Sequence, residues 1–232
     1  MDAYVGSSGF SYDFWRGSFY PEELPADSML GFYSRSFRAV EINNTFYRMP
    51  KADVMRRWAE CVPPGFRFTI KASRRITHMS RLKDTGDNVA YLHKQLEPLA
   101  AHLGPVLYQC PGNLKKDATR LRAFLSVMPA GSAPALEFRH PSWFDDEVYA
   151  ILAEHGACLC ASDEDDPDPP LVRTVDHGYL RLRAEHYDDA ALVRWIERAR
   201  ALWPTLFVFF KHEEAAPGLI ERMQGLLADV RP

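Results

Sequence analysis

Eight short apolar runs alternate with longer amphipathic segments along the 232 residues, and this alternation constrains the fold more than any other feature. The runs, at 4–8, 39–43, 66–72, 106–110, 135–139, 157–163, 179–183 and 206–211, have strand length and composition. Helical spacing covers 28–37, 53–61, 87–103, 117–127, 145–155, 188–202 and 217–229. Several of these segments open on an aspartate or serine suited to capping, and Gly104 and Gly156 fall where helices should stop. Strand and helix in alternation mean parallel strands joined by right-handed crossovers. Eight units in this length predict a single α/β domain over 1–232, a (β/α)8 TIM-barrel-like fold, with an open doubly wound sheet as the alternative. The acidic, proline-rich run at 163–170 reads as a loop.

Parity along the strands turns the outline into chemistry, because alternate side chains of a barrel strand face the helices and the lumen. In "AVEINN" the apolar Val40 and Ile42 face outward, which sends Glu41 and Asn43 inward. The same alternation sends Arg67, Thr69 and Lys71 of "FRFTIKA", Glu137 and Arg139 of "ALEFR", and Arg181 and Arg183 of "YLRLR" into the lumen. Gln109, Asp163 and Lys211 follow by the same rule. Lys71, Arg139, Arg181, Arg183 and Lys211 then oppose Glu41, Glu137 and Asp163 at the carboxyl ends of their strands, the end where barrels build active sites. Mutual pairing would satisfy some of these charges. So many in one lumen are still a poor way to stabilise a core compared with apolar packing.

The formal net charge of −3 excludes a global basic field, so any anion site must be local. No uncharged stretch is long enough to cross a bilayer, and the amino terminus carries no basic, apolar leader, so the expectation is a cytoplasmic protein with no membrane partner. Cys61, Cys110, Cys158 and Cys160 lack zinc-ligand spacing and read as small buried hydrophobes. "GSSG" at 6–9 is a weak phosphate signal and a better strand-end turn. "ITHMSRL" places His78 on a loop over the rim, and "EFRHPSW" sets Glu137, Arg139 and His140 ahead of Trp143, a flat apolar wall for a ligand. The first loop, rich in Phe10, Tyr12, Phe14, Trp15, Phe19 and Tyr20, either closes over a ligand through residues such as Trp15 or plugs the barrel mouth. Lysine and arginine beside the candidate carboxylates compete with a metal and no close-set ligand pair appears, so no metal site is expected, and the sequence leaves any cofactor unknown.

These motifs taken together resemble the YecE-like family, known as domain of unknown function 72. The similarity runs from Gly6 to Arg183 through "GSSGFSYDFWRGSFYP", "VEINNTFYRMP", "FRFTIKASRRITH", "LGPVLYQCP", "EFRHPSW" and "YLRLR". The resemblance implies a TIM-barrel-like fold. It also implies that Glu41, Asn43, Lys71, His78, Gln109, Glu137, Arg139, His140 and Arg181 occupy the polar positions that the family shares, and it implies no reaction. The carboxyl-terminal quarter departs from the family pattern, with Arg183, Lys211 and His212 where the family is less charged.

The functional expectation is a phosphate- or carboxylate-bearing ligand at the rim, held by Lys71, Arg139 and Arg181, with phosphoester hydrolysis as the possible reaction. Glu41 or Glu137 would serve as general base and His78 or His140 as acid. Two alternatives remain open at this stage. One is a non-catalytic module that grips single-stranded nucleic acid through the aromatic loop and the basic rim. The other is a glycoside hydrolase using Glu41 and Glu137.

Overall fold

The chain closes eight parallel strands into a barrel in the order β1-β2-β3-β4-β5-β6-β7-β8. The strands are β1 Asp2–Ser8, β2 Ala39–Ile42, β3 Arg67–Lys71, β4 Leu103–Gln109, β5 Pro134–Glu137, β6 Cys158–Ser162, β7 His177–Leu182 and β8 Thr205–Phe210. The helices are α1 Met29–Ser36, α2 Ala52–Cys61, α3 Gly86–Leu96, α4 Ala118–Leu125, α5 Asp146–Glu154, α6 Asp189–Arg200 and α7 Ala216–Asp229. The structure is a computed structural model and describes residues 1–184, 186–211 and 214–229. None of its helices is long and apolar enough to cross a membrane, among the described residues.

Aspartates start three of the helices by accepting a backbone N–H that the first turn leaves unpaired. Asp117 accepts from Arg120 N at 2.9 Å, Asp145 from Val148 N at 3.0 Å and Asp188 from Ala191 N at 2.7 Å. Gly156 ends α5 with a left-handed φ of 64°, as its position in the sequence suggests. Gly104 does something else: it lies inside β4, where a Cβ would press on Thr69 and Phe207 across the lumen. The helical segment expected at 87–103 breaks after Leu96, because Pro98 lacks the N–H that an α-helix needs and the chain continues as a 3-10 turn, Glu97–His102. Between β6 and β7 there is no helix at all. Five acids and three prolines in 163–170 keep that crossover an open loop.

Two apolar layers result from the parity. The outer one, between strands and helices, holds Val40, Ile42, Phe68, Ile70, Leu136, Leu180 and Leu182. The inner one fills the lower lumen with Ala39, Leu107, Ala135, Cys158, Cys160, Tyr179, Phe207 and Phe209. At the amino-terminal mouth Tyr4 stacks on Phe207 with ring centres 4.9 Å apart, and Arg38 and Arg67 cover the Tyr4 ring. Cys110, Cys158 and Cys160 are buried free thiols, while Cys61 is exposed. Above the apolar plug, the register sets Ser8 beside Glu41, Glu41 beside Thr69, and Gln109 beside Glu137, so the polar residues meet in one upper layer.

Candidate functional site

Arg181 is the hub of that layer. Its Nε donates to Glu41 Oε2 at 3.0 Å, its Nη2 to Glu41 Oε1 at 2.7 Å, and its Nη1 to Glu137 Oε2 at 2.6 Å. Arg181 and Glu41 are 0% exposed and Glu137 1%, so the guanidinium is a planar fork clamped between two buried carboxylates. Glu41 is saturated: Tyr179 OH and Ser8 Oγ each donate to it at 2.7 Å, which with Arg181 fills both lone pairs on both oxygens. Glu137 accepts in addition from Gln109 Nε2 at 2.7 Å and Arg139 Nε at 3.2 Å. Burial pushes both carboxyls up, but the charge of Arg181 together with the hydrogen bonds and charges around them outweighs it. Glu41 is held below its usual value, and Glu137, with Arg183 and Gln109 helping, falls to about 2.

This arrangement revises the roles expected for three residues. Arg181 cannot hold a ligand, because it is sealed from solvent and four of its five N–H donors are spent on Glu41, Glu137 and, at 3.5 Å, Asn43. Glu41 has no lone pair left for a substrate proton. The glycosidase geometry fails too, since Arg181 fills the interval between the two carboxylates where a glycosidic oxygen would have to sit.

Lys71 stands at the end of β3 above this cluster. Its Nζ lies 4.5 Å from the centre of the Phe46 ring and, among the described residues, has no hydrogen-bond or ion-pair partner. Burial lowers its pKa, and the like charge of Arg181 adds to the effect, to about 8. Phe46 also packs edge-on against His78, with ring centres 4.9 Å apart. Thr45 fixes this arrangement, its Oγ1 lying 2.7 Å from the Lys71 carbonyl and 2.9 Å from that of Ile42. His78 sits in a π-helical turn, Arg75–Met79, with Nδ1 2.9 Å from Thr77 Oγ1. Partial burial and then the charges of Lys71, Arg139 and Arg81 lower its pKa, which keeps the ring neutral at pH 7.

On the opposite side of the rim Arg139 and Arg183 converge on Glu164, whose Oε2 accepts from both. Arg139 also lies 3.5 Å from Asp165. Asp163, expected among the ligand contacts, instead staples the next loop: it accepts from Arg183 N at 2.6 Å and from the Tyr187 hydroxyl. His140 caps the 3-10 turn Pro141–Trp143, accepting from Ser142 N at 3.2 Å, and makes no contact with the Arg181 cluster. Trp143 is not an open stacking wall. It is 0% exposed, stacked on Phe138 at 4.4 Å, with its indole N–H donated to Leu114 O at 2.6 Å. Trp15 is likewise 1% exposed, wedged among Tyr12, Phe19, Tyr20 and Tyr33, so it packs the first loop onto α1 in the outer core and offers no face to a ligand. Lys211 is exposed one residue beyond β8, and His212 lies outside the described residues.

Sequence reading missed Ser8, Tyr179, Phe46 and Glu164. Parity would have found the first two, since Ser8 ends β1 facing in and Tyr179 shares the inner face of β7 with Arg181. No local pattern marks the other two, which reach the site from loops. A cavity of about 870 Å³ runs from Ser8 and Asn43, at the edge of the charged layer, outward past Tyr12 to Arg57 and Trp58. A smaller one of about 520 Å³ opens at the amino-terminal mouth around Arg67 and His177, the face that barrel enzymes do not use for chemistry. Among the described residues no three His, Cys, Asp or Glu side chains are grouped to hold a metal ion.

A family model described as "Protein of unknown function DUF72" matches residues 4–231. The chain is 28% identical to the UPF0759 protein YunF of Bacillus subtilis over 217 residues, 86% of this chain and 72% of the relative. It is 34% identical to the UPF0759 protein YecE of Escherichia coli over 113 residues, a match that spans 48% of this chain and only 42% of that relative. The crystal structure of a DUF72 family protein from Thermotoga maritima superposes with a TM-score of 0.81 at 26% identity, covering 99% of this chain and 98% of the other.

Proposed function

Since the chain belongs to the DUF72 family, whose description carries no activity, we propose from its own geometry that the carboxyl-end rim binds a small molecule bearing a phosphate or carboxylate group. The observation that supports this reading is Lys71. A half-buried ammonium that touches an aromatic face and, among the described residues, has no hydrogen-bond or ion-pair partner is costly to keep charged, and an incoming oxyanion would offset that cost. Arg139 and the neutral ring of His78 lie on the same side of the buried Arg181 layer and supply further donors. The cavity beside Asn43 has room for the uncharged body of the ligand.

A phosphoester is the bond such a site would cleave, and the work would fall to Lys71 and His78. These are the rim groups that change protonation nearest neutrality, whereas Glu41 and Glu137 remain ionised supports for Arg181. Titration calorimetry with sulfate tests the binding step. Wild-type protein should bind, Lys71→Ala should not, and equal affinity of the two would end this reading. Turnover of an aryl phosphate, abolished in His78→Ala, tests the hydrolytic step.

A second reading, single-stranded nucleic acid, is favoured by a feature away from the first loop. Tyr47 is 72% exposed with the Arg74 guanidinium 5.9 Å from its ring, and Arg48, Arg75 and Tyr91 line the adjoining groove of about 300 Å³. An aromatic and unpaired arginines in one groove suit stacked bases and a phosphate chain. Oligonucleotide binding that falls steeply with salt and is lost in Tyr47→Ala with Arg74→Ala would support it. Salt-independent or absent binding would exclude it.

A further inference from the structure

The acidic loop after β6 carries a residue that imitates a ligand. Glu164 brings one carboxylate oxygen to both the Arg139 and Arg183 guanidinium groups. Two cations focused on a single oxygen are the donor set for a carboxylate or phosphate. Arg183 is the informative partner, because its side chain is only 8% exposed and its Nε is a buried donor with no acceptor among the described residues. An arginine side chain this buried normally has its N–H groups satisfied, so Glu164, bonded to Nη1, satisfies this guanidinium only in part and leaves Nε in want of an acceptor.

The way the loop is held fits a replaceable occupant. Asp163, at its start, is fixed by Arg183 N and Tyr187. Asp168 and the carbonyl of Pro169, near its end, are fixed by Arg198. Between these anchors Glu164 and Asp165 are the side chains that reach the rim, and Asp165 touches Arg139 alone at 3.5 Å. The proline-broken backbone there forms no helix or strand whose ladder would have to be broken for Glu164 to leave.

We propose that Arg139 and Arg183 form an oxyanion subsite of the rim, that Glu164 occupies it in the free protein, and that a phosphate or carboxylate group of the ligand enters by displacing Glu164. This rests on the reading of the rim as an anion site and adds to it Arg183 as a contact and Glu164 as a competitor. No bond is made or broken in the exchange. One internal anion leaves for solvent as an external one takes its donors.

Calorimetric titration with inorganic phosphate tests it in the full chain, in wild type and in Glu164→Ala, Asp165→Ala, Lys71→Ala and Glu164→Ala with Arg183→Met. Removing the competitor should tighten phosphate binding by about tenfold, against less than about threefold for Asp165→Ala, which removes the same charge without vacating Arg183. The gain should disappear when Arg183→Met is added. If wild type binds phosphate through Lys71 and Glu164→Ala leaves the affinity unchanged, or Asp165→Ala matches it, Glu164 is not a competitor and the subsite falls while the rim reading stands. If neither wild type nor Glu164→Ala binds phosphate, both fall.

Discussion

Replacing Arg181 by methionine isolates what the buried clamp contributes. The substitution removes a fully buried guanidinium and leaves the Glu41 and Glu137 carboxylates facing one another with 0% and 1% exposure. Glu137 sits at about 2 in the fold against an ordinary 4.5, a net gap worth about 3 kcal/mol at 1.36 kcal/mol per unit, set against burial by Arg181 first and by Arg183, Gln109 and Arg139 after it. Breaking a buried ion pair by removing one partner costs about 3–5 kcal/mol, which agrees. For a chain of this length that lowers the melting temperature by roughly 10 °C. The pH dependence is the sharper readout. In wild type the depressed pKa of Glu137 means that its stabilisation is present above about 4.5 and is lost as pH falls toward 2. In Arg181→Met, burial, the largest single influence on both groups, loses its main opponent and raises both carboxyls against the remaining donors, so the folded state binds protons more readily than the unfolded one and stability increases as pH falls from 8 to 5. Urea unfolding at several pH values reads this slope directly. Adding Glu41→Gln and Glu137→Gln should recover most of the loss at pH 7 and flatten the dependence, since neutral replacements of buried ion clusters are often tolerated. A single variant whose stability parallels wild type across pH, within about 1 kcal/mol, would refute the view that Arg181 holds two ionised carboxylates.

Three further outcomes are expected. Sulfate affinity should be flat below pH 7 and fall about tenfold per unit well above pH 8, because Lys71 loses its proton near about 8, and Lys71→Arg should remove the decline; calorimetry over pH 6–10 checks both. Tyr179→Phe takes one of four donors from the buried Glu41 and should cost about 1.5–3 kcal/mol in chemical denaturation while leaving sulfate affinity unchanged. Gly6→Ala would place a Cβ 1.9 Å from the Ala39 carbonyl oxygen, a backbone atom that cannot yield while Tyr33 OH donates to it, so loss of more than about 3 kcal/mol or failure to fold is expected by circular dichroism.

Strand count and order were legible from the alternation of strands with helices, and the inward-facing residues because period-two alternation is a property of single strands and needs no knowledge of neighbours. Glu41, Gln109, Glu137 and Arg181 do converge, and the arithmetic of alternate residues was enough to place them together. What alternation cannot carry is depth along the barrel axis. Arg181 and Arg183 are both inward on one segment, yet the strand-to-strand stagger seals the first among carboxylates and leaves the second at the rim. Trp143 and Trp15 escape sequence reading for a related reason: an aromatic beside a strand end has no local mark that separates a stacking wall from core packing, and only the packing of Phe138, Leu114 and Tyr33 around them decides.

The same limit explains why charge counting at the rim gathered the cations and carboxylates together but counted Arg181 among the cations free for a ligand. A lumen with more cations than anions can place its surplus anywhere, and a cation sealed from solvent with nearly all its donors on buried carboxylates is spent. Arg181 is spent on Glu41 and Glu137 because its planar fork reaches both at once, and a lysine there could not do so. The surplus is therefore left on Lys71, which among the described residues keeps an aromatic face, on Arg139, which gives Glu137 its Nε alone, and on Arg183, whose acceptor comes from a loop instead of a strand. Buried carboxylates first neutralise the cation that is rigidly shared between them, and the cations left at the rim are the ones available to a ligand.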